Sequence, residues 1–128
     1  MSIEENKVIA RRYVEAINGQ DHDAFDALCT PEFAQQTKEL VQWIYATFEG
    51  HHITITDMVA EEDKVWARLA TRGGHSGEFE GIPPTGKQWT NTGVAFIRLV
   101  DGRIAEQDTL FDVLNHLKQV GARVVAPA

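Results

Sequence analysis

Three acidic side chains in the stretch GRIAEQDTLFD are the first candidates for acid/base chemistry: Glu106, Asp108 and Asp112. Because alternate residues of a β-strand share a face, Glu106 and Asp108 are predicted to lie beside Ile104. A carboxyl group among apolar side chains has a raised pKa, as a general base requires. An exposed strand with solvated acids is the alternative; it fits Glu106 better, and both interpretations stay open for Asp108. The opposite face is predicted to carry Gln107, Thr109 and Phe111.

His75 is the next candidate. It lies in GGHSGEF, where neighbouring glycines give the backbone the freedom to bring an imidazole over a cavity. Loops on a rigid scaffold often carry functional side chains, which favours a place in a pocket. A loop histidine that is hydrogen-bonded to backbone is an equally good interpretation.

The other histidines and the single cysteine do not have the spacing of metal ligands. His51 and His52 are adjacent on a predicted strand, so their side chains leave opposite faces. His22 and His116 lie on charged helical segments and are predicted to be solvated. Cys29 is predicted to be a small buried group rather than a nucleophile. No metal site is expected.

The segment GIPPTGK (81–87) resembles a phosphate-binding P-loop only superficially. Gln88 stands where that motif needs a hydroxyl group for magnesium. Pro83 and Pro84 lack the N–H groups that would bind phosphate. A predicted strand follows instead of a helix, so we predict that no nucleotide binds here.

Several large apolar side chains suit a wide pocket whose indole N–H groups could donate to a carbonyl oxygen. For each of them, a place in the ordinary core is the alternative. They are Trp43, Trp66, Trp89, Phe79 and Ile82.

The elements that must position these residues are predicted from periodicity. Ser2 and Glu5 form a capping box at the start of a helix that ends at Gly19. Further helices are predicted from Asp21 or Asp23 to Pro31, over 37–48, and from Asp112 to Gly121 with Val113, Leu114 and Leu117 inward. Strands are predicted over 53–58, 65–72, 88–100 and 103–111. Helices followed by an antiparallel meander predict an α+β fold.

Length and charge limit the classes of partner. The 128 residues predict one domain, 1–128, and a net charge of −7 without a basic run argues against nucleic acid and anionic membranes. The first residues are acidic and amphipathic, unlike a signal peptide. A single cysteine fits a reducing compartment, so a cytoplasmic location is expected.

Four segments together resemble one known family. They are GGHSGEFEGIPPTGK (73–87), VAFIRLVDGRI (94–104), LKQVG (117–121) and WIYATF (43–48). This combination is similar to the SnoaL-like polyketide cyclases, which belong to the superfamily of nuclear transport factor and ketosteroid isomerase. The resemblance implies helices packed on a curved, mostly antiparallel sheet that forms a cone with an internal pocket. It also implies a homodimer that forms through the outer face of the sheet.

The resemblance further implies cofactor-free acid/base chemistry, namely intramolecular aldol cyclisation or a related isomerisation or lyase reaction on a small apolar carbonyl compound. The base of the family is an Asp in the last strand, and that position falls on Thr109. The first hypothesis therefore takes Asp108 as the base and His75 or a Trp N–H as the oxyanion partner. The second hypothesis is a non-catalytic small-molecule-binding or dimerisation module. In both, the pocket is expected to be lined by some of Ile17, Trp43, His75, Ile82, Trp89, Ala95 and Thr109.

Overall fold

A computed structural model describes residues 2–127 as three helices, four strands and a last short helix. The elements are α1 (Ile3–Asn18), α2 (His22–Leu28), α3 (Pro31–Thr47), β1 (Phe48–Glu61), β2 (Lys64–His75), β3 (Gln88–Val100), β4 (Arg103–Phe111) and α4 (Val113–Gln119). The strands form one antiparallel sheet in the order β1-β2-β3-β4. The predicted α+β class is confirmed. None of the helices within residues 2–127 has the length and hydropathy to cross a bilayer.

The helix starts follow from local chemistry. The Ser2 hydroxyl oxygen accepts a hydrogen bond from the Glu5 backbone N–H at 3.1 Å, as the capping pattern predicted. The third helix starts at Pro31, well before the predicted Thr37, because proline fits the first position of a helix and has no N–H to leave unpaired. Pro31 therefore begins α3 and does not merely follow the second helix.

The main core lies between the helices and one face of the sheet. Alternate residues of β2 and β3 turn inward, so apolar side chains from both strands form a continuous surface on the inner face of the sheet. The inward side chains are Val65, Ala67, Leu69, Ala95, Ile97 and Leu99, and they pack with Tyr13, Ile17, Phe25 and Val41.

A β-bulge in the last hairpin reverses the predicted parity of β4. Leu99 pairs with Ile104, but its neighbour Arg98 pairs with Glu106, so Ala105 is an extra residue on β4. Beyond the bulge, the inward residues are Gln107, Thr109 and Phe111, opposite Ile97, Ala95 and Gly93. The prediction that Ile104 shares a face with Glu106 and Asp108 was therefore wrong.

The last helix presents a different face from the predicted one. The side chain buried on α4 is His116, whereas Val113 and Leu114 are exposed. The reason is a polar clamp onto β3: the Gln119 amide accepts from the Thr90 backbone N–H at 2.9 Å and donates to the Thr90 carbonyl at 2.7 Å. This clamp turns His116 towards the sheet.

Candidate functional site

Five buried rings meet at the end of the sheet on which α4 packs, and buried His75 lies next to them on the neighbouring strand; we call the six residues the histidine–aromatic cluster. They are Phe48, His51, His75, Phe79, Trp89 and His116. Strand pairing brings them together, since Phe48 at the start of β1 lies opposite His75 at the end of β2. Trp89 near the start of β3 lies opposite Gly73. A side chain at residue 73 would begin 3.0 Å from the indole, so glycine lets Trp89 lie close to the strand.

His116 is the centre of this cluster. Its ring lies 4.0 Å from the indole of Trp89 and 4.5 Å from Phe79, measured between centroids, and the interplanar angles are 33° and 28°. The Phe48 ring lies 5.2 Å away on a further side. Rings at these distances and angles stack on the imidazole and hold it in one place.

Four buried nitrogen atoms in the cluster have no hydrogen-bond partner within residues 2–127: His51 Nδ1, His75 Nε2, Trp89 Nε1 and His116 Nε2. Only one other buried side-chain atom in that part of the chain, Asn6 Oδ1, shares this condition. A buried polar group without a partner costs about 1–3 kcal/mol. Four such groups around one set of aromatic rings mark a place where a polar ligand atom could accept or donate hydrogen bonds.

Burial keeps two of these imidazoles neutral. Desolvation lowers the pKa of His116 to about 4, with a smaller contribution from the neighbouring His75. Desolvation also lowers the pKa of His51 to about 4, with smaller contributions from His52 and His116. Both rings are therefore uncharged at neutral pH, and each keeps one N–H donor and one acceptor nitrogen.

His75 is fully buried and bonded on one side only. Its Nδ1 lies 2.9 Å from the Thr85 hydroxyl and 3.3 Å from the Thr85 backbone nitrogen. The sequence left two interpretations open, a loop histidine bonded to its surroundings and a histidine in a pocket. The geometry has elements of both, because Nδ1 is bonded to the loop while Nε2 is buried without a hydrogen-bond partner in residues 2–127.

Two further residues from the predicted pocket lie beside the cluster. Ile82 is partly buried and packs against Phe48, Phe79 and Trp89. Trp43 is 48% exposed, but its ring lies 5.7 Å from Phe48 and 6.5 Å from Phe79. Trp43 thus forms an accessible edge of this otherwise buried group.

The remaining predicted lining residues lie elsewhere. Ile17 and Ala95 are buried in the main core, and Thr109 pairs with Ala95 across β3 and β4. Thr109 faces the inner side of the sheet and is exposed. The structure therefore brings His75, Ile82, Trp89 and Trp43 together, and separates them from Ile17, Ala95 and Thr109.

Asp108 lies on the outer face of the sheet. It pairs with Phe96, which pairs with Trp66, and all three point away from the helices. The bulge at Ala105 produces this orientation, and Asp108 is exposed. Glu106 is also on the outer face, where it bonds Arg98 at 2.9 Å. The expected place of Asp108 beside Ile104 is thus corrected.

The cone is closely packed at the predicted pocket. Ile17, His75, Trp89 and Ala95 are all buried, so a ligand reaches the cluster nitrogens only if rings at the Trp43 edge or α4 move. A groove of about 310 Å³ lies instead on the other side of the sheet, lined by residues that include His52, Arg72, Thr90 and Asn115. No three His, Cys, Asp or Glu side chains of the described chain come together as a metal site would require.

Sequence reasoning missed His51 and His116. The prediction that His116 is solvated was wrong, because the polar clamp of α4 turns it inward. A signal was present for both: His51 has the parity of Ile53, and His116 lies one helical turn before the buried Val120. The prediction for His51 and His52 was correct, since only His51 faces the interior.

The fold is a cone-shaped α+β fold with a buried aromatic interior. The family model of the SnoaL-like polyketide cyclases matches residues 7–120, and the chain belongs to this family. Among characterised relatives is aklanonic acid methyl ester cyclase DnrD of Streptomyces peucetius. The alignment with it is 130 positions long, shows 31% identity and covers 88% of each chain.

Solved structures share the fold. TsrD from Streptomyces laurentii superimposes with a TM-score of 0.88 at 22% identity, over 96% of this chain and 99% of that chain. A SnoaL-like polyketide cyclase from Agrobacterium tumefaciens superimposes with a TM-score of 0.82 at 16% identity, over 94% of this chain and 100% of that chain. At these identities the likeness establishes the cone fold.

Proposed function

We propose that this protein closes a ring in a small, largely apolar polyketide-type carbonyl compound, by an intramolecular aldol reaction that needs no cofactor. The observation that carries the proposal is the group of four buried nitrogens, without partners in residues 2–127, in an aromatic interior of a SnoaL-family chain. Aromatic rings suit a planar unsaturated substrate, and N–H groups suit its carbonyl oxygens. DnrD, a relative, is named a cyclase of aklanonic acid methyl ester, which is a compound to test first.

Three of the four nitrogens can be assigned to two roles, hydrogen-bond donor to an oxyanion and general base. Trp89 Nε1 is always a donor, and a neutral His75 that accepts at Nδ1 donates from Nε2. These two N–H groups are suited to the oxygen of an enolate, whose negative charge they stabilise. A neutral His116 has a free lone pair that can take the proton from the carbon between two carbonyls; because burial lowers its pKa to about 4, its imidazolium forms only beside the negative charge of the enolate.

The ring closure needs no second reactant, because every atom of the product comes from the substrate. The enolate carbon attacks a second carbonyl carbon, a C–C bond forms, and the electron pair of that carbonyl becomes an alkoxide. The imidazolium of His116 returns its proton to the alkoxide, so product and substrate have the same mass. The buried side chains in residues 2–127 include no Asp or Glu, and this favours an imidazole as the base. The outer-face position of Asp108 does not favour it as the base.

The test is conversion of aklanonic acid methyl ester to an isomer of identical mass, followed by liquid chromatography and mass spectrometry. We expect turnover without added cofactor, a loss of about 10²-fold or more in His116→Gln, and full activity in Asp108→Asn. Loss of activity in Asp108→Asn with a normal His116→Gln would overturn these roles.

Thr109 favours a second candidate, a binding module without turnover. The resemblance to the family implies the base position at Thr109, and a Thr hydroxyl cannot serve as that base at neutral pH. This candidate predicts that a planar diketone such as 2-acetyl-1-tetralone binds, while neither it nor the methyl ester reacts faster than in buffer.

We also propose a homodimer that forms through the outer face of the sheet. Large apolar side chains are exposed there, including Trp66 at 48% and Leu110 at 81%. Trp66 packs on Phe96 at 4.8 Å between ring centroids. An apolar surface of this kind in a soluble chain is suited to a second copy of itself. Light scattering should give a dimer that Leu110→Lys converts to a monomer, whereas a monomeric parent protein would contradict the proposal.

A reducing, cytoplasmic location is the proposed setting. Cys29 is fully buried, and burial raises the pKa of its thiol to about 12, so it stays protonated and unreactive. Fractionation of cells that express the protein should recover it with cytoplasmic markers, and recovery in an oxidising compartment would contradict this.

A further inference from the structure

The segment GIPPTGK, which has no role in nucleotide binding, folds back onto His75. The His75 backbone N–H donates to the Lys87 carbonyl at 2.9 Å, and the Gly86 N–H donates to the His75 carbonyl at 2.9 Å. Gly81 and Gly86 make the tight turns with φ of 80° and 72°, which glycine adopts without strain. The result is that Thr85 is fixed directly beside the imidazole.

The hydrogen bonds at Thr85 determine which nitrogen of His75 carries the proton. The Thr85 backbone N–H can only donate, and it points to Nδ1 at 3.3 Å. The Thr85 hydroxyl oxygen accepts from the Lys87 backbone N–H at 3.3 Å and lies 2.9 Å from Nδ1, so its own proton can point to the same nitrogen. Because the Thr85 backbone N–H donates to Nδ1, a neutral ring carries its hydrogen on Nε2.

The opposite tautomer conflicts with the same contacts. A hydrogen on Nδ1 would face the Thr85 N–H, and two donors would then meet. Nε2 would become an acceptor in the cluster interior, where it could not stabilise an oxyanion. The contacts of Thr85 thus favour the tautomer of His75 that can donate from Nε2 over the tautomer that cannot.

We propose that Thr85 is the positioning residue that fixes His75 as a hydrogen-bond donor towards the substrate oxygen. The role of His75 towards the substrate rests on the proposed function, but the tautomer of His75 does not. The tautomer exists in the protein without any ligand and can be measured there. Thr85 does not touch the reacting atoms and acts only through His75.

The experiment is nitrogen-15 NMR of the imidazoles in the full chain, with His75 assigned by comparison with His75→Gln. The variants are Thr85→Val, which keeps the shape and removes the hydroxyl, and Thr85→Ser, which keeps the hydroxyl. We expect His75 to carry its hydrogen on Nε2 in the parent protein and in Thr85→Ser. In Thr85→Val the backbone N–H still faces Nδ1 but the hydroxyl is lost, so we expect a minor population with the hydrogen on Nδ1 and about tenfold weaker binding of 2-acetyl-1-tetralone, as the loss of one hydrogen bond predicts.

A parent protein with the hydrogen on Nδ1, or with a charged His75, would overturn the inference, even if Thr85→Val does not fold. An unchanged tautomer in a folded Thr85→Val would overturn the role of the Thr85 side chain and leave its backbone N–H as the determinant. If the tautomer follows the hydroxyl but no variant or parent binds the diketone or turns over the methyl ester, the proposed function fails while the effect of Thr85 on His75 stands.

Discussion

The imidazole of His116 lies 4.0 Å from the indole of Trp89, centroid to centroid, although one belongs to the last helix and the other to a central strand. Both rings carry a buried nitrogen that bonds to nothing in residues 2–127. The two rings are thus well packed against each other, but each has a buried nitrogen without a hydrogen-bond partner. Sites of this kind are stable enough to persist, yet they gain free energy when a polar ligand arrives.

The stability of the protein should depend on pH through His51 and His116. Their pKa values in the folded chain are lowered to about 4 from 6.5, so the unfolded chain takes up protons first as the pH falls. The free energy of unfolding should be constant above pH 6.5 and fall below it, by up to about 1.4 kcal/mol per pH unit for each histidine. Urea unfolding at pH 7, 6 and 5 measures this. A flat profile over that range would contradict the lowered pKa values.

Replacement of His116 by Leu should separate stability from function. Leu has a similar volume and removes a buried nitrogen, but it loses the stacking on Trp89, so the net change at pH 7 should be within about 1 kcal/mol. The pH dependence below 6.5 should be about half as steep, and cyclisation should be lost. Thermal unfolding and product analysis check both effects. Leu114→Ala, at an exposed site on the same helix, is the control and should change neither.

Thr109→Asp should add a general base on the inner face. The side chain is exposed and lies opposite Ala95, so a carboxylate there should cost little stability. A positioned base contributes typically 10²–10⁴-fold, but residue 109 lies apart from the histidine–aromatic cluster, so we expect no change in the rate of a ring closure at His116, and a faster Thr109→Asp would place the reaction beside β4 instead. Initial rates for Thr109→Asp and Thr109→Asn give the comparison. Equal rates would mean that this position does not reach the substrate.

Tyr13→Phe should destabilise the main core. The Tyr13 hydroxyl donates to Gln107 Oε1 at 2.6 Å and lies 3.2 Å from the Thr37 hydroxyl, and burial raises its pKa. Its removal leaves two polar groups without their partner, at a cost of about 1–3 kcal/mol. The midpoint of chemical denaturation should fall accordingly. Tyr45→Phe is a matched control, because the hydroxyl group that it removes donates only to backbone carbonyl oxygens. An unchanged midpoint in Tyr13→Phe would show that the network contributes nothing net.

The architecture could be predicted because local signals agree with it. The cap at Ser2, the turn at Asp101 and Gly102, and the alternation in β2 and β3 each depend on residues close in the chain. These signals were sufficient for the fold class and the strand order. The start of α3 was misplaced because Pro31 serves equally well as a stop after one helix and as the first residue of the next.

The site was less predictable because it depends on one extra residue in a strand and on contacts between residues distant in the chain, which hydrophobic periodicity does not indicate. One extra residue at Ala105 turned Asp108 outward, and nothing in the pattern GRIAEQD marks a bulge. His116 was hidden because its burial is set by Gln119 and the Thr90 backbone, which are distant in the chain. His75 and Trp89 were predicted candidates because loop glycines and a tryptophan on a strand are local features.

The dependence of the cluster on α4 has a consequence for how the protein is made. Synthesis proceeds from the amino terminus, so the sheet and the first three helices emerge before His116 does. Until α4 docks, the indole of Trp89 lacks its closest ring neighbour. A chain truncated before Val113 would keep the sheet and the first three helices without His116, so we expect it not to bind the diketone.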